Sequence, residues 1–149
     1  MKILFFIYTL LAMFTQNLFA QEMQVKYQNV SQEKMREQNI QIATLAAKEI
    51  SKNLPQKIDK YTTLKSIENH NTTLVYTFLI NDSRKSDTVI RKQDHTRMQK
   101  AITEGLCRSS KRFLQAGINI SYKYLSEKSK NLLFRFDIAK DKCNYPSPR

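Results

Sequence analysis

Two histidines, two cysteines and a handful of carboxylates are the side chains here that could do more than pack. His95 follows Asp94 in "RKQDHTRMQ", an arrangement that invites comparison with a general-base dyad. A dyad needs the carboxylate to reach one imidazole nitrogen while the other faces substrate. Neighbours on a helix point in different directions, so adjacency gives Asp94 no means of orienting His95. His70 lies in "ENHN", a run of turn formers, and reads as a solvated turn residue. Asp59 and Asp137 fall in strand-like segments. They could share acid–base work if they met across a sheet, but with 25 Lys+Arg in the chain, pairing with a cation is the expectation.

The cysteines are Cys107, in "AITEGLCRSSKRFLQAG", and Cys143, in "AKDKCNYPSPR". A zinc site would need four good ligands, and the chain offers these two cysteines and two histidines with neither C-x-x-C nor H-x-x-x-H spacing. A thioredoxin-like centre would also need C-x-x-C. Gly105 and Gly117, the two glycines, cannot form a GxGxxG or GxxxxGK[ST] phosphate loop. No serine nucleophile elbow is present. The expectation is no enzyme, no catalytic residue, no metal and no cofactor.

The N-terminus decides how the cysteines are read. "MKILFFIYTLLAMFTQNLFAQEMQ" has a positive Lys2, an apolar run from Ile3 to Phe14, a polar patch and a small residue, Ala20, before Gln21. That is the layout of a secretory signal peptide, cleaved near Ala20. The apolar run is shorter than the roughly 20 residues needed to span a bilayer. No cysteine follows the cut, so the lipoprotein pattern is missing, and no transmembrane segment is expected after cleavage. The expected address is the periplasm, where two cysteines pair most readily with each other. A structural Cys107–Cys143 disulfide follows, stabilising by roughly 4 kcal/mol in the chain-entropy model. Two free thiols, or a bridge between molecules, are the alternatives.

The remaining chain suits one domain. Residues 21–31 read as a flexible lead-in, 32–143 as a single α+β domain and 144–149 as a loose tail. From Gln32 the pattern is helical, with Ser31 as N-cap, an apolar stripe of Ile42, Leu45, Ala46, Ile50 and Leu54, and Pro55 as the stop. A hairpin follows around "ENHN", in which Leu74, Tyr76, Phe78 and Ile80 face the core, and "NDSRKSD" ends it as a loop. A second helix runs from about Asp94 to Gln115, burying Met98, Ile102, Leu106 and Phe113 and capped by Gly117. A second hairpin buries Ile118, Ile120, Tyr122 and Tyr124 against Leu132, Phe134, Phe136 and Ile138. The expected fold is helix-strand-strand-helix-strand-strand, a four-stranded antiparallel sheet with both helices on one face.

Two surfaces emerge from this arrangement. Val75 and Leu79 fall on the sheet face turned from the helices, an apolar strip ringed by Lys65, Lys123 and Arg135. Exposed apolar strips rimmed with charge mark interfaces, so a protein partner or a second copy in a homodimer is expected there, in the manner of an adaptor, inhibitor, immunity or chaperone-like protein. The formal charge of +12 and pI of ≈ 9.8 draw the chain towards anions. Arg97, Lys100, Arg108, Lys111 and Arg112 cluster on the second helix and offer an alternative, an anionic polymer or membrane surface. Nucleic acid is disfavoured, because the aromatics of "SYKYL" and "LFRFD" alternate towards the core rather than outward for stacking.

The segment "LPQKIDKYTTLKSIENHNTTLVYTFLI", followed by "GLC" and then "GINISYKY", resembles a group of short exported proteins of Gram-negative bacteria. The likeness covers roughly residues 45–125. It implies a periplasmic address and brings no catalytic residue with it.

Overall fold

A computed structural model describes residues 31–145. The leader, the cleavage site and most of the lead-in lie outside the described residues, as do 146–149 at the C-terminus. Residues 31–35 open the first helix: Ser31 Oγ accepts from the Lys34 amide at 3.3 Å, and the Met35 amide donates to the Ser31 carbonyl. That is the N-cap expected of a serine ahead of a helical run.

The helix, α1, covers Gln32–Ile50, and a 3-10 turn at Ser51–Asn53 finishes it before Pro55. Its buried face matches the expected one in part: Ala46 and Leu54 of the expected stripe pack against the core. Ala43 and Ala47 are buried, whereas Ile42, Leu45 and Ile50 are exposed. The reason is close approach. Ala43 and Ala47 are one turn apart and let the helix backbone lie near the sheet, which the larger residues would hold off. Two polar contacts fix its height: Asn39 Nδ2 donates to the Ala116 carbonyl at 2.6 Å, and Ser51 Oγ donates to the Ile67 carbonyl at 3.1 Å.

The sheet has five strands in the order β1 (Gln56–Lys57), β2 (Thr62–His70), β3 (Thr73–Ile80), β4 (Asn119–Ser126) and β5 (Leu132–Ile138). β2 and β3 form an antiparallel hairpin through Asn71–Thr72, with Asn71 at φ 56°, so the turn falls two residues later than expected and His70 ends the strand. β4 and β5 form the second antiparallel pair. β3 and β4, however, run parallel, in register from Thr73↔Asn119 to Ile80↔Ser126. The four-stranded antiparallel expectation is therefore corrected to a five-stranded mixed sheet. Parallel neighbours need a long crossover, and the chain between Ile80 and Asn119 supplies one.

That crossover is α2 (Asp87–Lys92), α3 (Thr96–Ser109) and α4 (Lys111–Ala116). The expected single helix breaks at Ser110, and α2 forms from the end of the expected loop, at Asp87, into a stretch to which no element was assigned. Ser86 caps α2 by accepting from the Val89 amide at 3.3 Å, and Asp87 sits in its first turn. Gly117 closes α4 at φ 90°, a left-handed conformation that glycine adopts freely.

The helices share one face of the sheet. One core cluster joins Ala43 and Ala47 of α1, Leu106 of α3 and Leu114 of α4 to Leu64, Ile67, Leu74, Phe78, Ile118, Ile120, Tyr124, Phe136 and Ile138. Leu114 is fully buried beside the half-buried Phe113. Aromatic rings cross the sheet on this face, with Phe78 on Tyr124 at 4.8 Å and Tyr124 on Phe134 at 4.5 Å between centroids. The Cys107–Cys143 disulfide joins α3 to the turn after β5, with Cα atoms 5.6 Å apart. Tyr145, placed by sequence in the loose tail, folds back so that its hydroxyl donates to the Cys107 carbonyl at 3.0 Å.

Val75 and Leu79 require a correction. They are buried, at 8% and 9% exposure, not an open strip. β3 is an interior strand, so Val75 lies between Glu68 and Ser121, and Leu79 between Thr63 and Leu125. Flanking side chains on both sides screen them from water.

Three stability outcomes follow. Leu114→Ala should cost about 3 kcal/mol by urea unfolding, since it empties a fully buried site. Reducing the disulfide should cost up to about 4 kcal/mol, and an unchanged urea midpoint after reduction would show that the link constrains little. Ser121 Oγ is buried with no hydrogen-bond partner among the described residues. Ser121→Ala should therefore leave stability unchanged or raise it by up to about 1 kcal/mol, and a loss of that size would reveal a partner for the hydroxyl.

Candidate functional site

Of the residues singled out for chemistry, Asp59, Asp94 and His95 come to line one cleft, whereas His70 and Asp137 lie away from it. His70 is exposed at the end of β2, with Nε2 3.5 Å from Glu68 Oε2. Asp137 is exposed on β5 and accepts from Arg135 Nε at 2.8 Å. Asp59 lies in the β1–β2 loop, where its Oδ1 takes the Tyr61 and Thr62 amides at 2.7 and 2.8 Å. The two carboxylates belong to opposite ends of the strand order. Asp94 is occupied by the backbone too: its Oδ1 accepts from the Thr96 amide at 2.9 Å. The Thr96 side chain and amide together hold its carboxyl below the ordinary range. His95 stacks on Phe134 at 3.9 Å between ring centroids. Among the described residues, no three His, Cys, Asp or Glu side chains are grouped to hold a metal ion. No described helix is long and apolar enough to cross a membrane.

The tyrosines are shifted by burial rather than by a partner that could use them. Desolvation pushes the Tyr122 hydroxyl up to about 12, with Tyr76 adding to it, and raises Tyr124 further. Both rings belong to the aromatic ladder of the core face, so they act there as packing.

The chain does build a cleft of about 520 Å³ at the carboxyl end of β3. Five separate segments line it. The β1–β2 loop brings Asp59, Lys60 and Tyr61; the end of β3 brings Ile80 and Asp82; α2 and its exit bring Ile90, Gln93 and Asp94; α3 and β5 bring Met98 and Phe134, with His95 on the Phe134 ring. The lining combines apolar side chains (Tyr61, Ile80, Ile90, Met98 and Phe134) with charged ones (Asp59, Lys60, Asp82, Lys85 and Asp94). Tyr61 is held in place from one side: the Arg84 guanidinium lies 5.0 Å from its ring centroid and donates to its hydroxyl. Asp82 anchors Arg84 in turn, at 3.2 Å to Nε. Desolvation opposes the Asp82 charge, but the Arg84 hydrogen bonds and the nearby Lys85 outweigh it and hold that carboxyl below its usual range. α2 is pinned beside the cleft from behind, where Asp87 accepts from the Ser129 hydroxyl and Arg91 Nε donates to the Leu132 carbonyl at 3.0 Å. The Arg91 contact also takes up a backbone carbonyl at the start of β5, the last strand in the sheet order.

None of the cleft residues was picked out by sequence as a group. Asp59, Asp94 and His95 drew attention one at a time as titratable side chains, the others are ordinary apolar or loop residues, and only the folded crossover against the β1–β2 loop brings them together. Met98 carried a signal: it was assigned to the buried stripe, yet it is 37% exposed, on the cleft wall.

The other expected residues separate into two places. Lys123 and Arg135 are register partners on the sheet face away from the helices, and Lys65 is exposed at the β2 irregularity. Arg97, Lys100, Arg108, Lys111 and Arg112 are all exposed on α3 and α4. A second concavity, of about 560 Å³, lies beside the disulfide between α3 and the Lys140–Lys142 turn, lined by Lys100, Arg108 and Lys142 among others.

Solved structures share this fold. A protein of Pseudomonas aeruginosa described as secreted aligns at TM-score 0.66 and 13% identity, over 74% of this chain and 96% of that one. The pilotin EpsS of the Vibrio vulnificus type 2 secretion system aligns at TM-score 0.63 and 12% identity, over 76% and 99%. The type II secretion system pilotin AspS of Vibrio cholerae aligns at TM-score 0.57 and 15% identity, over 74% and 97%. At such identities the likeness is one of fold. No curated protein matches the sequence. A family model does match residues 38–134, from within α1 to within β5, and on that match the chain belongs to the family described as Domain of unknown function (DUF8479).

Proposed function

We propose that this chain is a small exported, non-enzymatic interaction protein that holds an apolar segment of a partner protein in the cleft at the carboxyl end of β3. The observation that carries the reading is the cleft itself. Tyr61, Ile80, Ile90, Met98 and Phe134 converge from separate segments to give the cleft an apolar lining, with Asp59, Lys60, Asp82, Lys85 and Asp94 around them. Sites with that composition hold a few side chains of a partner tightly and use the charged groups for orientation. Export is supported by the leader-like N-terminus, by the disulfide and by fold neighbours that are a secreted protein and two pilotins of type 2 secretion systems. The far sheet face, where Val75 and Leu79 are covered, is given up as the contact surface in favour of the cleft.

The test is site-specific photo-crosslinking in intact cells. A photoreactive residue at Met98 should give a discrete protein adduct, and the same residue at Leu45, which is 66% exposed on α1, should not. With the captured protein purified, Met98→Lys should weaken the pair by about tenfold or more, the cost of burying an unpaired charge at an anchor position. Equal adducts at both positions, or wild-type affinity in Met98→Lys, would contradict the assignment.

A further inference from the structure

The outward surface of the helical layer is a separate feature, and the cleft does not explain it. Arg97, Lys100, Arg108 and Lys111 follow one another at three-, eight- and three-residue steps, with Glu104 between Lys100 and Arg108. The first two steps keep one side of α3, so Arg97, Lys100 and Arg108 form a stripe about 16 Å long, and Lys111, just past the break at Ser110, continues it beside Tyr145, which itself bonds the Cys107 carbonyl. Arg112 flanks it. Lys100 lies 4.0 Å from Glu104, and that is the ion pair recorded along the stripe among the described residues. Lys111 lies 5.6 Å from the Tyr145 ring centroid.

The disulfide widens this surface. By tying Cys143 to α3 it sets the Lys140–Lys142 turn beside the helix, and Lys142 joins Lys100 and Arg108 around the concavity there. The opposing carboxylates nearby are Glu104 and Asp141, the latter 3.9 Å from Lys142 Nζ. Neutralising so dense a row of cations requires a surface of anions rather than a single group, because the charges are spread along the helix and none is buried. The face presents no open aromatic platform: Phe113 is half-buried against the core and Tyr145 is turned to the Cys107 carbonyl. Base stacking therefore has no support, and single-stranded nucleic acid is a poor fit.

From this charge complementarity we infer that the outer face of α3, α4 and the Lys140–Lys142 turn docks on an anionic phospholipid membrane, with the basic side chains on lipid phosphates. Each lysine or arginine held at such a surface strengthens attachment severalfold, and added salt weakens it. The face lies on the outside of the helical layer, so docking there leaves the carboxyl end of β3 free for a protein.

The experiment is vesicle co-sedimentation of the purified protein, with phosphatidylcholine vesicles containing or lacking phosphatidylglycerol. The test variant is Arg97→Glu/Arg108→Glu/Arg112→Glu. The control is Lys57→Glu/Lys65→Glu/Lys128→Glu, which changes net charge equally at exposed positions away from the stripe. All proteins are first checked for the same unfolding midpoint. The expected result is salt-sensitive binding to phosphatidylglycerol vesicles alone, at least about tenfold weaker in the test variant and changed less than about threefold in the control. Equal losses in the two variants would reduce the effect to net charge and overturn the proposal. So would binding to neutral vesicles, binding indifferent to salt, or tighter binding to duplex DNA than to the vesicles. Because the readout is lipid and not a protein partner, its failure leaves the cleft assignment standing.

Discussion

The parallel pairing of β3 with β4 is the constraint from which the rest of the structure follows. Two strands running the same way cannot be joined by a tight turn, so the chain must leave the sheet, cross one face and return. The segment that makes this trip is α2, α3 and α4, and it lands on the face already used by α1. One strand direction thus determines that the helices share a layer, that Leu106 and Leu114 reach the core, and that the carboxyl end of β3 is overhung by the elbow between α2 and α3. In sheets with parallel strands, ligands settle outside those carboxyl ends, because there the chain departs and side chains from different segments can meet. The cleft is an instance of that geometry built with apolar residues instead of a phosphate loop.

Much of this was legible in the chain, for identifiable reasons. The alternation of Tyr122, Tyr124, Phe134 and Phe136 marked the face towards the helices, because a strand repeats every two residues whatever its neighbours are. Gly117 marked the end of the crossover, because few other residues take φ 90° without strain. The cysteine pair could be read from the export expected of the N-terminus, since two cysteines in an oxidising compartment pair with each other. Strand direction was not legible. A hairpin and a crossover leave the same alternation, and the short α2 hid in a run of polar residues whose helical cue was one serine cap.

Val75 and Leu79 show how one misreading spread. A strand that is apolar at many positions, "TLVYTFLI", suggests by alternation alone a half-exposed strand with an apolar outer face. The same pattern is what an interior strand of a parallel pair looks like, with neighbours on both sides. The anomaly is therefore evidence about topology rather than about function. α1 makes the complementary point. Its larger apolar residues suggested the buried stripe, yet Ala43 and Ala47 are the ones in the core, since close packing against a sheet rewards small side chains.

A partner held at the carboxyl end of β3 should shield the backbone of the segments that line the cleft. Amide hydrogen exchange, followed with and without the captured partner protein, reports on that most directly. The expected result is added protection confined to Asp59–Thr62, Ile80–Asp82 and Ile90–Met98. Protection appearing instead on the outward face of α1 or along the β2 edge, with those three segments unchanged, would contradict it.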